Sequence, residues 1–539
     1  MSEFSKKLRV FLPLLCSVVL AAGIYIGYRL GNQPGAKQTY ILNTNRPGTL
    51  QEILGLTRLK YVDSIDLHLL KTEAIQGILS HLDPHSVYIP PAEVASVNED
   101  LEGSFQGIGV EFLVIDDTIN ITGVIAGGPS SKAGVETGDK LIRVGDSKVA
   151  GVHITTRHIK SLLRGPSDSR VQLTFLRGNE PVSLQIRRGT IPIESIDAAY
   201  MIRPGIGYIR INRFAASTYG EFMEAMLALQ KDSLHQLIID LRQNAGGYLD
   251  AAVNIADELL SDQKLIVYTQ GKHYPRTEYT CHKSGVFEKG GLAILVDGGS
   301  ASASEILSGA IQDWDRGTII GRRTFGKGLV QEQYKLSDGG ALRLTVARYY
   351  IPSGRSIQRS YQQGAEAYYD DILQRYAHGE LTHADSIHFA DTTRYYTRLN
   401  HRRVFGGGGI MPDVFVPIDT IRLDSVIGAL YRDNMLFEFA YEYYSRHKAE
   451  FARFNELSDY VKHYRLSRPV REAFDRFIQK HGLGEESLWN PADRDEVDLR
   501  IKAFLARTKW QLKGYYEVMN TRDRVVNKAV EILSTNPES

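Results

Sequence analysis

The sequence predicts a multidomain α+β protein with an α/β core, and three observations carry that reading. Between residues 191 and 359 an apolar strand, a glycine-rich turn and a helix follow one another twice, as crossovers over a partly parallel sheet require. Between 103 and 190, runs such as Val171-Gln-Leu-Thr-Phe-Leu and Val182-Ser-Leu-Gln-Ile alternate at period two, the pattern of half-buried strands. Both flanks, 49–102 and beyond 419, read as helical. At roughly 150 residues per domain, 539 residues allow three or four folded units. Hydrophobic residues at 43% and charged residues at 24% exclude wholesale disorder. Lys and Arg number 64 against 63 Asp and Glu, a net charge of +1, so no global field points to nucleic acid.

Taken in order, residues 1–30 predict a signal anchor. Residues 10–28 carry no charge, Lys6, Lys7 and Arg9 precede them, and Arg29 closes the run. A spanning helix needs ~20 apolar residues, whereas a cleaved signal core is usually ~7–15. The basic leading flank predicts that end inside the cytoplasmic membrane and the rest of a single-pass chain outside, periplasmic where there is an outer membrane. Ala21-Ala22-Gly23 offers cleavage as the rival reading. The two cysteines are Cys16, in this run, and Cys281, so neither a disulfide scaffold nor a four-cysteine zinc site is available.

Residues 31–102 read as a polar tether followed by a helical region, with Ile53, Leu56, Leu59, Ile65, Leu69 and Leu70 at helical spacing. His81-Leu-Asp-Pro-His85-Ser86 ends that run. Pro84 argues against a helical pair of metal-binding histidines, so the segment reads as an ordinary loop. A mostly β module covers 103–190 and the α/β core 191–360. An insertion rich in Tyr, His and Asp covers 361–404, a core-closing segment 405–418, and a charged, aromatic helical domain 419–539.

Gly321-Arg-Arg-Thr-Phe-Gly326-Lys327-Gly328 is nearly a phosphate-binding loop. It has Gly328 where a magnesium-binding hydroxyl belongs and leads into a strand pattern, so a nucleotide site is rejected. Ser261-Asp-Gln-Lys264 reads as a solvated helix end, and no His-Glu-x-x-His occurs. The stronger signal is Asp297-Gly-Gly-Ser300-Ala-Ser302-Ala-Ser304-Glu305, between a strand and a helix. Unpaired N–H groups at a helix start suit developing negative charge, and a serine there is a nucleophile if a base takes its proton. On this segment alone, serines that merely cap a tight turn fit equally well. Lys327 is a candidate base, since burial disfavours its charged form, and Gln331 is placed to orient the amine. If the Leu237 and Leu292 strands are neighbours, an N–H from Gly246 or Gly247 and one from Ala303 form an oxyanion hole.

Several motifs in one order carry a family resemblance. They are Leu82-Asp-Pro-His-Ser86, Phe105-Gln-Gly-Ile-Gly109, Asp240-Leu-Arg242 with Gly246-Gly247, and Gly299-Ser-Ala-Ser-Ala-Ser-Glu-Ile306. Thr324-Phe-Gly-Lys-Gly328 with Gln331, Pro352-Ser-Gly-Arg-Ser-Ile-Gln358 and Gly409-Ile-Met-Pro-Asp413 follow. The chain resembles the carboxy-terminal processing (tail-specific) serine proteases over roughly 50–360 and 405–418. The resemblance implies a crotonase/ClpP-like α/β serine protease core with an inserted PDZ domain, an amino-terminal anchor and a carboxy-terminal helical extension. It implies Ser302 as nucleophile, Lys327 as general base and Gln331 as the residue that positions it. The oxyanion donors would be Gly246 or Gly247 with Ala303. Gly107, Ile108, Gly109 and Val110 match the PDZ loop that holds a substrate carboxylate. The implied activity is endoproteolysis near the C-termini of proteins with exposed tails, with no metal or organic cofactor. The alternative is an inactive or gated PDZ scaffold. The carboxy-terminal helices are left with three readings: dimerisation, a cap over the site, or an adaptor seat.

Overall fold

The structure is a computed structural model that describes residues 48–388, 393–418, 425–483 and 491–535. The expected anchor with Cys16, and the tether up to residue 47, lie outside the described residues. Among the described residues no helix is long and apolar enough to cross a membrane. The chain divides into two compact units at Ala74 and Ile75. The first holds α1 (Thr49–Lys60) and the start of α2 (Leu67–Leu79), neither of which has a buried residue. Asp66 caps α2 by accepting the N–H groups of His68 and Leu69.

In the second unit, β1 (Val87–Ile89) and α3 (Pro91–Glu102) lead to a β module. The apolar spacing of 49–102 predicts a mainly helical region. β1 departs from it because Pro84 and Pro90 bracket an extended stretch that pairs with a core strand, Tyr88 opposite Leu342. The module contains β2 (Ser104–Gly107), β3 (Val110–Ile115), β4 (Thr118–Val124), α4 (Pro129–Ala133), β5 (Lys140–Val144) and β6 (Ser147–Lys148). It continues with α5 (Thr156–Leu163), β7 (Arg170–Arg177), β8 (Glu180–Arg187) and β9 (Gly189–Pro192). Its sheet runs β3-β4-β5-β7-β8, with β6 on β5, so β3 is a free edge. Ile119, Ile121, Leu141, Leu173, Phe175 and Ile186 fill its core.

The largest core lies around β10 (Ile196–Arg203), β11 (Ile206–Ile211), α6 (Thr218–Lys231), β12 (Gln236–Asp240), α7 (Leu249–Leu259), β13 (Leu265–Gln270) and β14 (Thr277–Thr280). It continues through β15 (Leu292–Val296), α8 (Ala303–Asp313), β16 (Thr318–Gly321), β17 (Leu329–Lys335) and β18 (Ala341–Tyr350). The six-stranded sheet has the order β10-β11-β12-β15-β16-β21, where β21 is Val414–Phe415. From β11 onward it is parallel, and β10 is antiparallel. The Leu237 and Leu292 strands are direct neighbours, Leu237 opposite Leu292, so both glycine turns leave the same end of the sheet. A second sheet runs β1-β18-β13-β14, with β17 on β18.

Period two puts alternate residues of the main sheet on opposite faces. Ile239, Leu292, Ile294 and Val296 pack with α6, α7 and α8. Ile238, Ala293, Leu295 and Ile320 pack with Val525, Val526, Ala529 and Leu533. Those last four lie on α16 (Arg524–Thr535), so it completes the second face of the six-stranded core sheet.

Between them lie α9 (Gly364–Ala377), β19 (Tyr395–Tyr396), β20 (Arg403–Val404), α10 (Ser425–Arg432), α11 (Met435–Arg446), α12 (Lys448–Ala452), α13 (Leu457–His463) and α14 (Arg468–Lys480). α15 (Pro491–Met519) and α16 (Arg524–Thr535) end the chain. An aromatic core around Phe439, Phe451, Tyr460, Tyr464 and Phe474 unites the helices from α10 to α15. α15 is kinked at Gln511, whose φ is 57°. The helical domain touches the β module through Tyr441, whose hydroxyl donates to Ile121 O at 3.1 Å, and through Arg507 beside Glu111.

Candidate active site

The fully buried strand β15 ends at Val296, and the turn that begins at Asp297 is built by side chains. Asp297 accepts the N–H of Gly299 at 2.9 Å and both the N–H and the side-chain amide of Gln243. The turn after β12 is thereby tied to the turn after β15. Ser300 Oγ donates to Leu241 O at 2.8 Å and Ser304 Oγ to Asn244 O at 2.9 Å. Both serines are completely buried. Ser302 is half-buried, and its hydroxyl donates no hydrogen bond to any described residue. Of the three serines, two are stitches between the turns and one, Ser302, donates its hydroxyl to no described residue.

Ser302 has φ 53° and ψ −113° as it enters α8. Such backbone in a non-glycine residue costs ~1–3 kcal/mol and persists where the surroundings over-determine it. Here Glu305 does so: its carboxylate accepts the Ser302 N–H at 2.9 Å. It also accepts the Thr324 hydroxyl at 2.5 Å and the N–H groups of Gly326 and Lys327 at 2.7 and 2.9 Å. Glu305 is fully buried, and burial pushes its carboxyl up to about 7 against those four donors. Tyr349, also buried, points its hydroxyl at Ser302 O (3.0 Å) and at Lys327 O. The serine and lysine segments are therefore joined twice through their main chains.

Lys327 lies on the loop between β16 and β17. Burial, and then the Arg343 charge, hold its amine below the ordinary value of 10.5. Its Nζ donates to Gln331 Oε1 at 3.1 Å and makes no hydrogen bond to Ser302. Gln331 Nε2 donates to His85 O at 2.5 Å, which turns the amide oxygen toward the amine. The loop bearing His85 is fixed by Asp83, which accepts the His85 N–H, the Ser86 hydroxyl and the Thr345 hydroxyl.

Gly246 has φ +96°, and a Cβ there would lie 2.7 Å from Ser302 Cβ and 2.9 Å from Ala303 N. Its N–H donates to Asn244 Oδ1 at 2.9 Å. The N–H groups of Gly247 and Ala303 have no hydrogen-bond partner among the described residues. In the β module, Ile108 O and Gly109 O accept from Ser130 and Ile125, while the N–H groups of Ile108 and Gly109 are unengaged among the described residues. Gly107 and Val110 flank them, and Phe105, Phe112 and Leu163 line a small apolar cavity of about 90 Å³ at this loop. The free edge of β3 begins there. No cluster of His, Cys, Asp or Glu able to hold a metal occurs among the described residues, and Cys281 is a buried free thiol.

Sequence reading missed Glu305, Tyr349 and His85 as parts of this arrangement. Ser302-x-x-Glu305 is a capping-box spacing and carried a signal. Tyr349 lies in an ordinary strand pattern. The His85 loop was read as ordinary, yet it anchors the residue that contacts Lys327.

The two turns at the end of the parallel sheet thus bring Ser302 and Lys327 onto segments joined through Glu305 and Tyr349. The model of peptidase family S41 matches residues 205–366, and that of the PDZ domain matches 106–187. A family of unknown function (DUF8443) matches 426–511. The carboxy-terminal-processing protease of Bartonella bacilliformis is 34% identical over 313 residues, 57% of this chain and 71% of that protein. A probable CtpA-like serine protease of Staphylococcus aureus is 32% identical over 342 residues, 63% of this chain and 67% of that one. The solved photosystem II D1 C-terminal processing protease is 28% identical, with 69% of this chain and 87% of that chain covered at a TM-score of 0.35. The chain belongs to the carboxy-terminal-processing proteases of peptidase family S41 and carries a PDZ domain.

Proposed function

We propose that Ser302 and Lys327 form a catalytic dyad that cleaves proteins near their C-termini after the PDZ domain has taken up the tail. The observation that carries this reading is Ser302, the one of the three turn serines whose hydroxyl donates to no described residue, joined to Lys327 through Glu305 and Tyr349. Ser302 Oγ attacks the scissile carbonyl carbon as its proton passes to neutral Lys327 Nζ. The carbonyl oxygen becomes an anion facing the N–H groups of Ala303 and Gly247; the Gly246 N–H is held by Asn244 and supports the turn instead. The C–N bond then breaks as Lys327 returns the proton to the leaving amine. Water, deprotonated by the same amine, hydrolyses the acyl-enzyme. Gln331, held by His85 O, keeps the amine in place.

Delivery follows from the other loop. A substrate carboxylate sits on the N–H groups of Ile108 and Gly109, between Gly107 and Val110. Its last apolar side chain enters the cavity of about 90 Å³, and the tail adds to the β3 edge. The charge pattern of residues 1–30 supports a single-pass membrane anchor with the catalytic part outside the cytoplasm. The bond from Nζ to Gln331, with none to Ser302, favours a gated protease over a constitutive one as a second reading.

The test is turnover of a peptide with an apolar C-terminal tail by the ectodomain. Ser302→Ala and Lys327→Ala should each abolish it, and kcat/KM of the unsubstituted enzyme should rise with pH below 10.5 as the amine loses its proton. Full activity in either variant would overturn the dyad.

A further inference from the structure

Helix α9, within the inserted segment 361–404, packs against the loop that carries Lys327. Arg375 donates to Thr324 O at 2.8 Å and to Phe325 O at 3.2 Å. Arg359 lies 3.9 Å from the ring centres of both Phe325 and Tyr368, and its guanidinium pairs with Asp371. Tyr368 is 2% exposed, so its hydroxyl is enclosed by protein.

The bonds around that hydroxyl form a closed circuit. Lys327 Nζ donates to Gln331 Oε1 at 3.1 Å, and Gln331 Nε2 donates to His85 O at 2.5 Å. His85 Nε2 lies 3.0 Å from Tyr368 Oη. Gln358 Nε2 reaches Tyr368 Oη at 3.4 Å, and Gln358 Oε1 accepts the N–H of Gly328 at 2.8 Å. Gly328 is the residue after Lys327, so the ring returns to its start. An amide N–H can only donate. Tyr368 therefore accepts from Gln358, and its bond to His85 Nε2 runs in the direction that the imidazole tautomer sets. Burial and the Lys327 charge hold His85 down at about 4, so the imidazole is uncharged at neutral pH.

We propose that Tyr368 is a positioning residue for the catalytic base: it closes this ring around Lys327 and keeps the amine desolvated and aimed. The proposal rests on the dyad reading above. It gives the inserted segment a role, that of a brace on the base loop. The charged groups facing the amine are Asp83 and Glu305, which favour the ammonium, and Arg343, which disfavours it. Arg359 acts on His85 from the far side of the ring. Asp83, Glu305 and Arg343 make no hydrogen bond to Tyr368, so the change at the amine on removing that hydroxyl is in its enclosure. Burial is the foremost cause of the low amine pKa, and opening the ring admits water and moves that pKa toward 10.5.

The experiment is the pH profile of kcat and kcat/KM for Tyr368→Phe, with active enzyme counted by covalent labelling of Ser302. Near neutral pH kcat should fall about twofold to tenfold, the range expected for one lost hydrogen bond, with KM unchanged. The acidic limb should move to higher pH, and the deficit should shrink as pH rises. Gln358→Leu, which opens the ring at its other arm and leaves the tyrosine in place, should move the limb the same way. A limb unmoved in both variants, or a loss uniform at all pH values, would overturn the proposal. Lys327→Ala separates the two readings. If it stays active the dyad itself fails; if it is dead while the Tyr368→Phe limb stays fixed, only the ring fails.

Discussion

Glu305 holds Lys327 by its main chain, with Oε2 accepting the Lys327 N–H at 2.9 Å. The same oxygen accepts the Ser302 N–H, so one carboxylate sets the spacing between two segments that meet only through the fold. Because burial raises this carboxyl from 4.5 to about 7, the folded protein keeps its proton at pH values where the unfolded chain has lost it. Between those values the folded state binds more protons, so stability falls as pH rises. Glu305→Gln should remove that slope. It should also lower stability at neutral pH by about 1–3 kcal/mol, because the new amide turns N–H donors against N–H donors. Chemical denaturation at a series of pH values checks both, and an unchanged slope would refute the assignment.

Tyr349 acts on the same pair from the opposite side. Its hydroxyl serves the carbonyls of Ser302 and Lys327, and burial lifts its own pKa far above 10, so it remains a donor. Tyr349→Phe keeps the packing and leaves a buried carbonyl without its donor, at a cost of about 1–3 kcal/mol. The melting temperature should drop and kcat should fall while KM holds, since this hydroxyl is buried and spent on the carbonyls of Ser302 and Lys327. Wild-type kcat at a lowered melting temperature would limit Tyr349 to stability alone.

Much of this architecture was legible. Alternation announced β7 and β8, and the two strand–glycine–helix units announced the parallel sheet, because each rests on a local period. The three serines could not be told apart by local pattern. What separates them is whether a carbonyl from the neighbouring turn, about sixty residues away, lies within reach, as Leu241 O does for Ser300. His85 was equally hidden, since its importance lies in a bond to Gln331 across the fold. The final helix reads as one more amphipathic helix of the tail. Only the tertiary structure shows Val526 and Leu533 against the protease sheet.

The two glycines should fail differently. Gly246→Ala would place a methyl 2.7 Å from Ser302 Cβ at φ +96°, which displaces Ser302, the proposed nucleophile. Activity should fall by ~10²-fold, the scale of a reacting group misplaced by about 1 Å. Gly247→Ala would put its methyl 2.0 Å from Phe214 O, within the backbone bridge that anchors the turn, so the fold itself should weaken. Labelling of Ser302 by a serine-reactive probe, compared with melting temperature, separates the cases. Normal labelling of Gly246→Ala would contradict the close approach.

α16 should be indispensable to the protease core. Asp523 caps it by accepting the N–H groups of Val525 and Val526, and pairs with Arg242, which leads into the turn of Gly246 and Gly247. Its apolar face covers Ile238, Ala293, Leu295 and Ile320. Ending the chain after Thr521 uncovers that sheet face, and burying each large side chain on it stabilises the fold by about 1.5–3 kcal/mol. The truncated protein should be insoluble or lack a cooperative melting transition. Leu533→Ala is the graded version, with an expected loss of about 2–5 kcal/mol. Asp523→Ala should lose about 1–2 kcal/mol through the missing cap. Calorimetry of the three proteins gives the order, and a truncated chain that melts at the wild-type temperature would show that the helix is dispensable.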